Sequence, residues 1–426
     1  MRCELLSLRG DPVVLAAQLR SLVPASQSVS EQVSEIISAV RARGDHAVLE
    51  YTRKFDTAEG ELLPLRVSDA ELEAAAERLR PAVRRGLLEA LENVQRVSVA
   101  ALRADRTVRV GGHEVVLREA PLETAAVYVP GGRAPYPSTV VMGVTPARVA
   151  GVRAIAVCAP PGRDGDVDPV VLGACRLAGA SVVYRMGGAQ AVAALAYGTA
   201  SVAAVDVIVG PGNLYVQEAK RQVFGQVAID GFAGPSDLVV IATGEVDPAP
   251  LALDLLAQAE HGTGTLVIGI SPSRELLGRL RASIEQAPDT GAVARLVQVR
   301  DVDEALAAAQ ALAPEHLQLV GEEVEARARS ATRAGSVFLG AAAGTAFGDY
   351  IAGSNHILPT GGAARFASAL SPSAFRRAYT EVRIPMSSAA ALAGAAAPVA
   401  RAEGFELHAR SMEARIRNNG RDEPHR

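Results

Sequence analysis

Two hydrophobic rhythms divide the chain. Over 29–54, and again over 69–97, apolar residues recur at helical spacing with polar residues between them. Residues 1–100 are therefore expected to be helical. Over 107–118 apolar and polar positions alternate around Gly111-Gly112, the pattern of a hairpin. From Ala125 the rhythm changes. Short β-branched runs at 126–129, 154–159, 181–185, 206–209 and 226–229 alternate with Ala-rich helical stretches such as 169–179 and 188–197. That alternation predicts βαβ units, hence a parallel sheet with right-handed crossovers. After a linker at 231–235 it resumes, with strands expected at 238–242, 265–270, 296–299, 317–320 and 336–339. This second α/β unit would be completed by some of the N-terminal helices. The tail from 371 is expected to be helical at its end (405–416) and disordered over 418–426.

Length and composition narrow this picture. A chain of 426 residues is too long for one ordinary core, so two or more domains are expected. With 49% apolar residues and no Trp, the core must be mostly aliphatic. A net charge of −4 without any basic block argues against a nucleic-acid partner. The three cysteines, Cys3, Cys158 and Cys175, are far apart and odd in number, which reads as reduced thiols. No uncharged apolar run reaches membrane-spanning length, and Met-Arg-Cys-Glu-Leu-Leu lacks the apolar core of a signal peptide. A cytoplasmic protein with no membrane partner is expected.

The candidate chemistry centres on Asp254-Leu-Leu-Ala-Gln258-Ala-Glu260-His261. Its apolar positions suit a helix, on which Gln258 and His261 share a face. An amide oxygen and an imidazole on one face make half of a metal site. Three further stretches could complete it: Pro314-Glu315-His316, Gly348-Asp349-Tyr350, and the segment holding Glu403 and His408. Each alone is more often an ordinary solvated or core feature; their weight lies in occurring together in a chain with seven histidines. Glu315 and His316 also offer two proton-transfer groups of different pKa at one centre. A second set lies at expected strand ends: Tyr128-Val-Pro-Gly-Gly-Arg133, Gly187-Gly188-Ala-Gln190 and Gly210-Pro-Gly212-Asn213. Glycines at strand-to-helix turns let backbone N–H groups approach a phosphate, although each turn alone reads as ordinary turn chemistry. There is no G-x-G-x-x-G, so nucleotide binding here would be atypical.

Longer motifs carry a resemblance. Tyr-Val-Pro-Gly-Gly-Arg-Ala-Pro-Tyr-Pro-Ser-Thr-Val (128–140), Gly-Gly-Ala-Gln-Ala-Val-Ala-Ala-Leu-Ala-Tyr-Gly-Thr (187–199), Val-Gly-Pro-Gly-Asn (209–213), Gln-Ala-Glu-His (258–261), Pro-Glu-His-Leu (314–317) and Gly-Asp-Tyr…Asn-His-Ile-Leu-Pro-Thr-Gly-Gly (348–362) resemble the histidinol dehydrogenase family over nearly the whole chain. The resemblance implies two Rossmann-like parallel-sheet domains, incomplete and atypical, with helical N-terminal and C-terminal extensions. It divides the chain into a helical arm (1–24), a discontinuous first α/β domain (25–127 and 238–370), a second, NAD-binding α/β domain (128–237) and a helical tail (371–426) reaching the partner subunit. It implies zinc-dependent, NAD-linked, four-electron oxidation of L-histidinol to L-histidine through L-histidinal, the last step of histidine biosynthesis, with one Zn2+ per subunit. By resemblance, Gln258, His261, Asp349 and His408 are the zinc ligands, and Glu315 and His316 the acid/base pair. Ser236, Glu403, His316 and the ligands contact substrate, and Tyr128, Gln190 and Asn213 contact NAD. A homodimer with shared active sites is implied, with Glu403 and His408 supplied by the partner.

The chain departs from the family pattern in three places. Gly-Thr-Gly-Thr follows His261, Asp237 stands where Glu is common, and 341–346 is unusually bland. A related zinc/NAD dehydrogenase acting on another small polar alcohol is therefore an alternative. A zinc hydrolase would also suit Glu, His and a metal, but H-E-x-x-H is absent and the glycine-bearing strand ends count against it.

Overall fold

The computed structural model describes residues 1–23, 29–57, 63–131, 134–231 and 236–416. The expected disordered tail, part of the 231–235 linker and two residues of the 128–133 motif lie outside these. The chain forms two compact units, one of Met1–Ala101 with Leu122–Phe375, the other of Leu102–Pro121 with the segment from Arg376.

The first unit is α/β, built on two parallel sheets. The six-stranded sheet runs, edge to edge, Cys3–Ser7, Val293–Gln298, Leu266–Ser271, Asp237–Ala242, His316–Val320 and Ser336–Leu339. Its three central strands, Leu266–Ser271, Asp237–Ala242 and His316–Val320, are buried throughout and mostly apolar, as expected where helices cover both faces. Leu251, Leu255, Leu277 and Leu280 of the helices Pro248–Ala259 and Arg274–Gln286 pack one face. Leu15, Leu19, Leu306 and Leu312 of Pro12–Arg20 and Val302–Leu312 pack the other. Three of these four helices begin Asp–Pro or Asp–Val with the Asp side chain accepting a backbone N–H, an N-cap that fixes where the chain enters the helix.

The five-stranded sheet runs Val182–Arg185, Ala154–Ala159, Thr124–Tyr128, Val207–Val209 and Ala228–Ile229. The helices Asp69–Glu77, Pro81–Ala101, Pro137–Ala150 and Pro169–Ala178 cover one face. Ser30–Arg43, Asp45–Phe55, Gly188–Tyr197 and Leu214–Val223 cover the other.

Three expectations are corrected. The N-terminal arm is not wholly helical: Cys3–Ser7 pairs with Val293–Gln298 as an edge strand. Five residues of mixed polarity carry no period strong enough to reveal this, and pairing across the chain decides it. Of the N-terminal helices, Pro12–Arg20 does complete the 238–370 half as expected, but the helices of 29–101, expected in that half, pack on the five-stranded sheet. Helical periodicity shows that a helix has an apolar face but not which sheet that face covers. Thr124–Tyr128 is likewise central to the five-stranded sheet, so that half starts before residue 128.

In the second unit the expected hairpin forms from Arg106–Val110 and His113–Pro121. Arg376–Arg383 joins it as an unexpected third antiparallel strand. The helices Met386–Ala402 and Glu406–Glu413 follow, the C-terminal helical extension. Among the described residues no helix is long and apolar enough to cross a membrane.

Candidate active site

In a βαβ unit each helix runs opposite to its strands, so the end of Pro248–Ala259 lies at the amino edge of the six-stranded sheet. Gln258 occupies its last turn, and His261 follows in a continuing turn whose N–H donates to the Gln258 carbonyl at 3.2 Å. At that same edge Ser236 immediately precedes one strand, and His316 begins the next, paired with Leu238. Asp349 comes from the short helix Thr345–Tyr350. Gly348 allows its approach: a Cβ there would sit 2.5 Å from Cζ of Phe338, whose ring lies 6.0 Å from that of His316.

These side chains cluster in one polar row, hydrogen-bonded from Gln258 to Glu315 and approached by His316 and Asp349. Gln258 Nε2 donates to Ser236 Oγ at 2.5 Å, and Ser236 Oγ donates to Glu315 Oε2. Asp237 N–H also donates to Glu315 Oε2, at 3.1 Å. Glu315 Oε2 lies 3.8 Å from His316 Nδ1, and His316 Nε2 lies 3.5 Å from Asp349 Oδ1. Beyond Asp349, His356 Nδ1 is 3.0 Å from its carbonyl and His356 Nε2 is 3.3 Å from Thr139 Oγ1. Glu315 and His316 are both buried. Burial pushes the Glu315 carboxyl above its ordinary range, against the pull of His316. Burial alone would lower His316, but the Glu315 and Asp349 carboxylates outweigh it and raise it to about 9. Burial opposes ionisation of Asp349, yet His316, with His356 and His261, holds its carboxyl below the usual range.

Three of the four expected metal donors fit the role. Gln258 spends its amide N–H on Ser236, which leaves its Oε1 as the donor oxygen. His261 Nδ1 sits 3.0 Å from the Gln258 carbonyl, a bond that puts the proton on Nδ1 and the lone pair on Nε2. Asp349 is the ionised carboxylate. The expected partners Glu403 and His408 belong to the second unit, where both are exposed and His408 packs 5.2 Å from the Phe405 ring. Among the described residues no group of three or more His, Cys, Asp and Glu is already gathered for a metal. Gln258 lies outside that class of donor, and His408 is in the other unit.

The second constellation lies at the carboxyl edge of the five-stranded sheet, where strand order reverses between Thr124–Tyr128 and Val207–Val209. There a cleft of about 1150 Å³ is lined by Tyr128, Gly131, Pro160, Gly188, Gln190 and Asn213. Gly188 N–H donates to Tyr128 Oη at 3.0 Å. Gly188 has φ +63°, and a Cβ there would meet Gln190 Oε1 at 2.6 Å. Gln190 is buried with neither amide atom hydrogen-bonded, the state of a side chain awaiting a ligand. Asn213 caps Leu214–Val223, its Oδ1 accepting from Tyr215 and Val216 N–H at 3.0 and 3.1 Å.

A family model described as histidinol dehydrogenase matches residues 21–416. The chain belongs to the histidinol dehydrogenase family. It is 44% identical to the histidinol dehydrogenase of Cereibacter sphaeroides over 405 residues, 92% of this chain and 93% of that one. It is 42% identical to that of Pseudomonas putida over 403 residues, 91% of each chain. The crystal structure of histidinol dehydrogenase from Elizabethkingia anophelis matches with a TM-score of 0.90 at 30% identity, covering 98% of both chains. The chain is thus an enzyme of an NAD-dependent oxidoreductase family.

Sequence reasoning missed what supports Glu315. Asp237 Oδ1 accepts the Glu315 N–H at 2.8 Å. Arg20 Nη1 donates to Asp237 Oδ2 at 2.6 Å, and Arg20 Nη2 to the Leu312 carbonyl at 2.7 Å. Nothing in the sequence around Arg20 signals a partner 217 residues away. Asp237 is buried, so removing its cation strands a charge. Arg20→Ala should lower stability by about 3 kcal/mol, read from urea unfolding midpoints. An unchanged midpoint would mean that Asp237 has another partner.

Proposed function

We propose that the enzyme carries out the zinc-dependent, four-electron oxidation of L-histidinol to L-histidine through L-histidinal, using two NAD and ending histidine biosynthesis in the cytoplasm. The observation that carries this reading is the Gln258–Ser236–Glu315 hydrogen-bonded run, with His316 Nδ1 3.8 Å from Glu315 and His316 Nε2 3.5 Å from Asp349. It brings an acid/base pair beside metal-type donors, in a unit that also bears a dinucleotide-type cleft with an orphaned Gln190 amide.

The residues divide the work as follows. Gln258, His261, Asp349 and His408 would hold Zn2+. When bound, zinc would orient the substrate's amine and imidazole nitrogens and draw charge from Asp349, easing its hold on the His316 proton, while NAD supplies the hydride acceptor. His316 Nε2 takes the carbinol proton as the first hydride leaves, giving the aldehyde. Glu315 then removes a proton from the water that adds to the aldehyde carbon. Burial makes Glu315 a stronger base than an exposed carboxylate. The resulting hydrate loses the second hydride and a proton to become the carboxylate. Keeping the aldehyde in a buried site avoids side reactions of a reactive carbonyl. Ser236 holds Glu315 and faces the substrate with Glu403. Tyr128, Gln190 and Asn213 line the NAD cleft. Glu403 and His408 are exposed on the second unit, which suits donation to the site of a second copy in a homodimer.

The zinc-loaded protein should form two NADH per L-histidine from L-histidinol, lose turnover on chelation and regain it with Zn2+. No turnover with histidinol in protein that holds zinc and binds NAD would point to another polar alcohol. Glu315→Gln should slow oxidation of L-histidinal by about a hundredfold or more and alcohol oxidation less. Equal losses in both half-reactions would sink the water-activating role. Mixing His408→Ala with His316→Ala subunits should restore part of the activity. No recovery in confirmed heterodimers would mean that each site is built within one chain.

A further inference from the structure

The dinucleotide-type cleft contains a carboxylate with no assigned role. Asp56 ends the helix Asp45–Phe55, its N–H donating to the Thr52 carbonyl at 2.9 Å. The side chain lines the cleft, and its Oδ2 is buried with no hydrogen-bond partner. Burial pushes its carboxyl up to about 7, and no cation offsets this. Glu35, Arg163 and Asp164 also line the cleft, and three further charged groups there are engaged elsewhere. Asp166 accepts from Arg185 at 2.7 Å, Asp168 caps Val170 N–H at 2.8 Å, and the Lys54 ammonium lies over the Phe55 ring at 5.3 Å. A partly buried carboxylate with one oxygen lacking a donor is held against its solvation. Such a group is most simply retained for donors that arrive with a ligand.

The faces of the five-stranded sheet indicate which part of a dinucleotide would bring them. The loop carrying Asp349 is tied to one face. His356 reaches Thr139, and Asn355 Nδ2 donates to the Met142 carbonyl at 2.8 Å, both on Pro137–Ala150. The reacting ring must come to that side. The helix that ends at Asp56 packs on the opposite face, with Val48 in the same cluster as Leu195 and Val216. On that reading the far end of the dinucleotide, its adenosine, would lie on the Asp56 side.

We propose that Asp56 receives the 2′-hydroxyl of the adenosine ribose and makes the cleft select a dinucleotide without a 2′-phosphate. A carboxylate accepts from a ribose hydroxyl and repels a phosphate at the same position. This rests on the reading that the cleft takes NAD.

The test measures ADP-ribose affinity by isothermal titration calorimetry on the zinc-loaded protein, and the NADP-to-NAD ratio of kcat/KM. Asp56→Ala and Asp56→Asn are compared with wild type. Asp56→Ala should weaken ADP-ribose binding about ten- to hundredfold. Both variants should shift the ratio toward NADP by about tenfold or more. Thermal midpoints should hold or rise, because an unpaired buried carboxylate has gone. Unchanged ADP-ribose affinity, an unmoved ratio, or affinity lost together with a lowered midpoint would each overturn the assignment. A wild-type protein that makes NADH from histidinol yet does not bind ADP-ribose overturns it alone. A wild-type protein that neither binds NAD nor makes NADH overturns the functional reading with it.

Discussion

The candidate active site depends on keeping one carboxylate out of water, with a histidine, His316, as the cationic group beside it. Glu315 is buried, and its Oε2 accepts from the Ser236 hydroxyl and the Asp237 N–H. Those two donors, with His316 beside them, are what the carboxylate has in exchange for solvation. Asp237 closes the arrangement by accepting the Glu315 N–H in return, and Arg20 answers the charge this leaves on Asp237. The clamp draws on the first helix of the chain, the start of a central strand, and the turn before the next strand. Losing Arg20 leaves the buried Asp237 charge without its cation.

The path of the backbone decides which edge of each sheet does the work. In the five-stranded sheet the cleft opens at the carboxyl ends of the strands, at the reversal of strand order, the usual place in an open α/β sheet. In the six-stranded sheet Glu315 and His316 stand at the amino ends, where His316 begins its strand. The reason lies in the contributing helix. Gln258 and His261 are at the C-terminal end of Pro248–Ala259, and a crossover helix delivers that end to the amino edge. His356 and Asn355 then tie the Asp349 loop to Pro137–Ala150 of the other half, linking the two chemistries through hydrogen bonds.

Period and composition were enough to read most of the elements. The strands Ser336–Leu339 and Ala154–Ala159 and the helix Gly188–Tyr197 were legible because apolar runs and their glycine boundaries are local signals. Glu315-His316 and Gln258…His261 were legible as candidate residue types at short spacing, and long motifs gave the family. Cys3–Ser7, Arg376–Arg383 and the sheet to which the helices of 29–101 attach were not. Short strands and amphipathic helices state that they have an apolar face, and only the fold supplies the surface that covers it.

By itself, then, the sequence determined the class of fold, the order of its elements and the kinds of side chain available for catalysis, since each depends on residues close together in the chain. Tertiary structure alone decided that Arg20 supports Asp237, that Ser236 stands between Gln258 and Glu315, and that Asp56 lines the second cleft with its Oδ2 unpartnered. These are contacts between elements far apart in sequence, or a solvation state set by them. No local pattern encodes either, because desolvation and pairing arise only when distant segments close over the same few atoms.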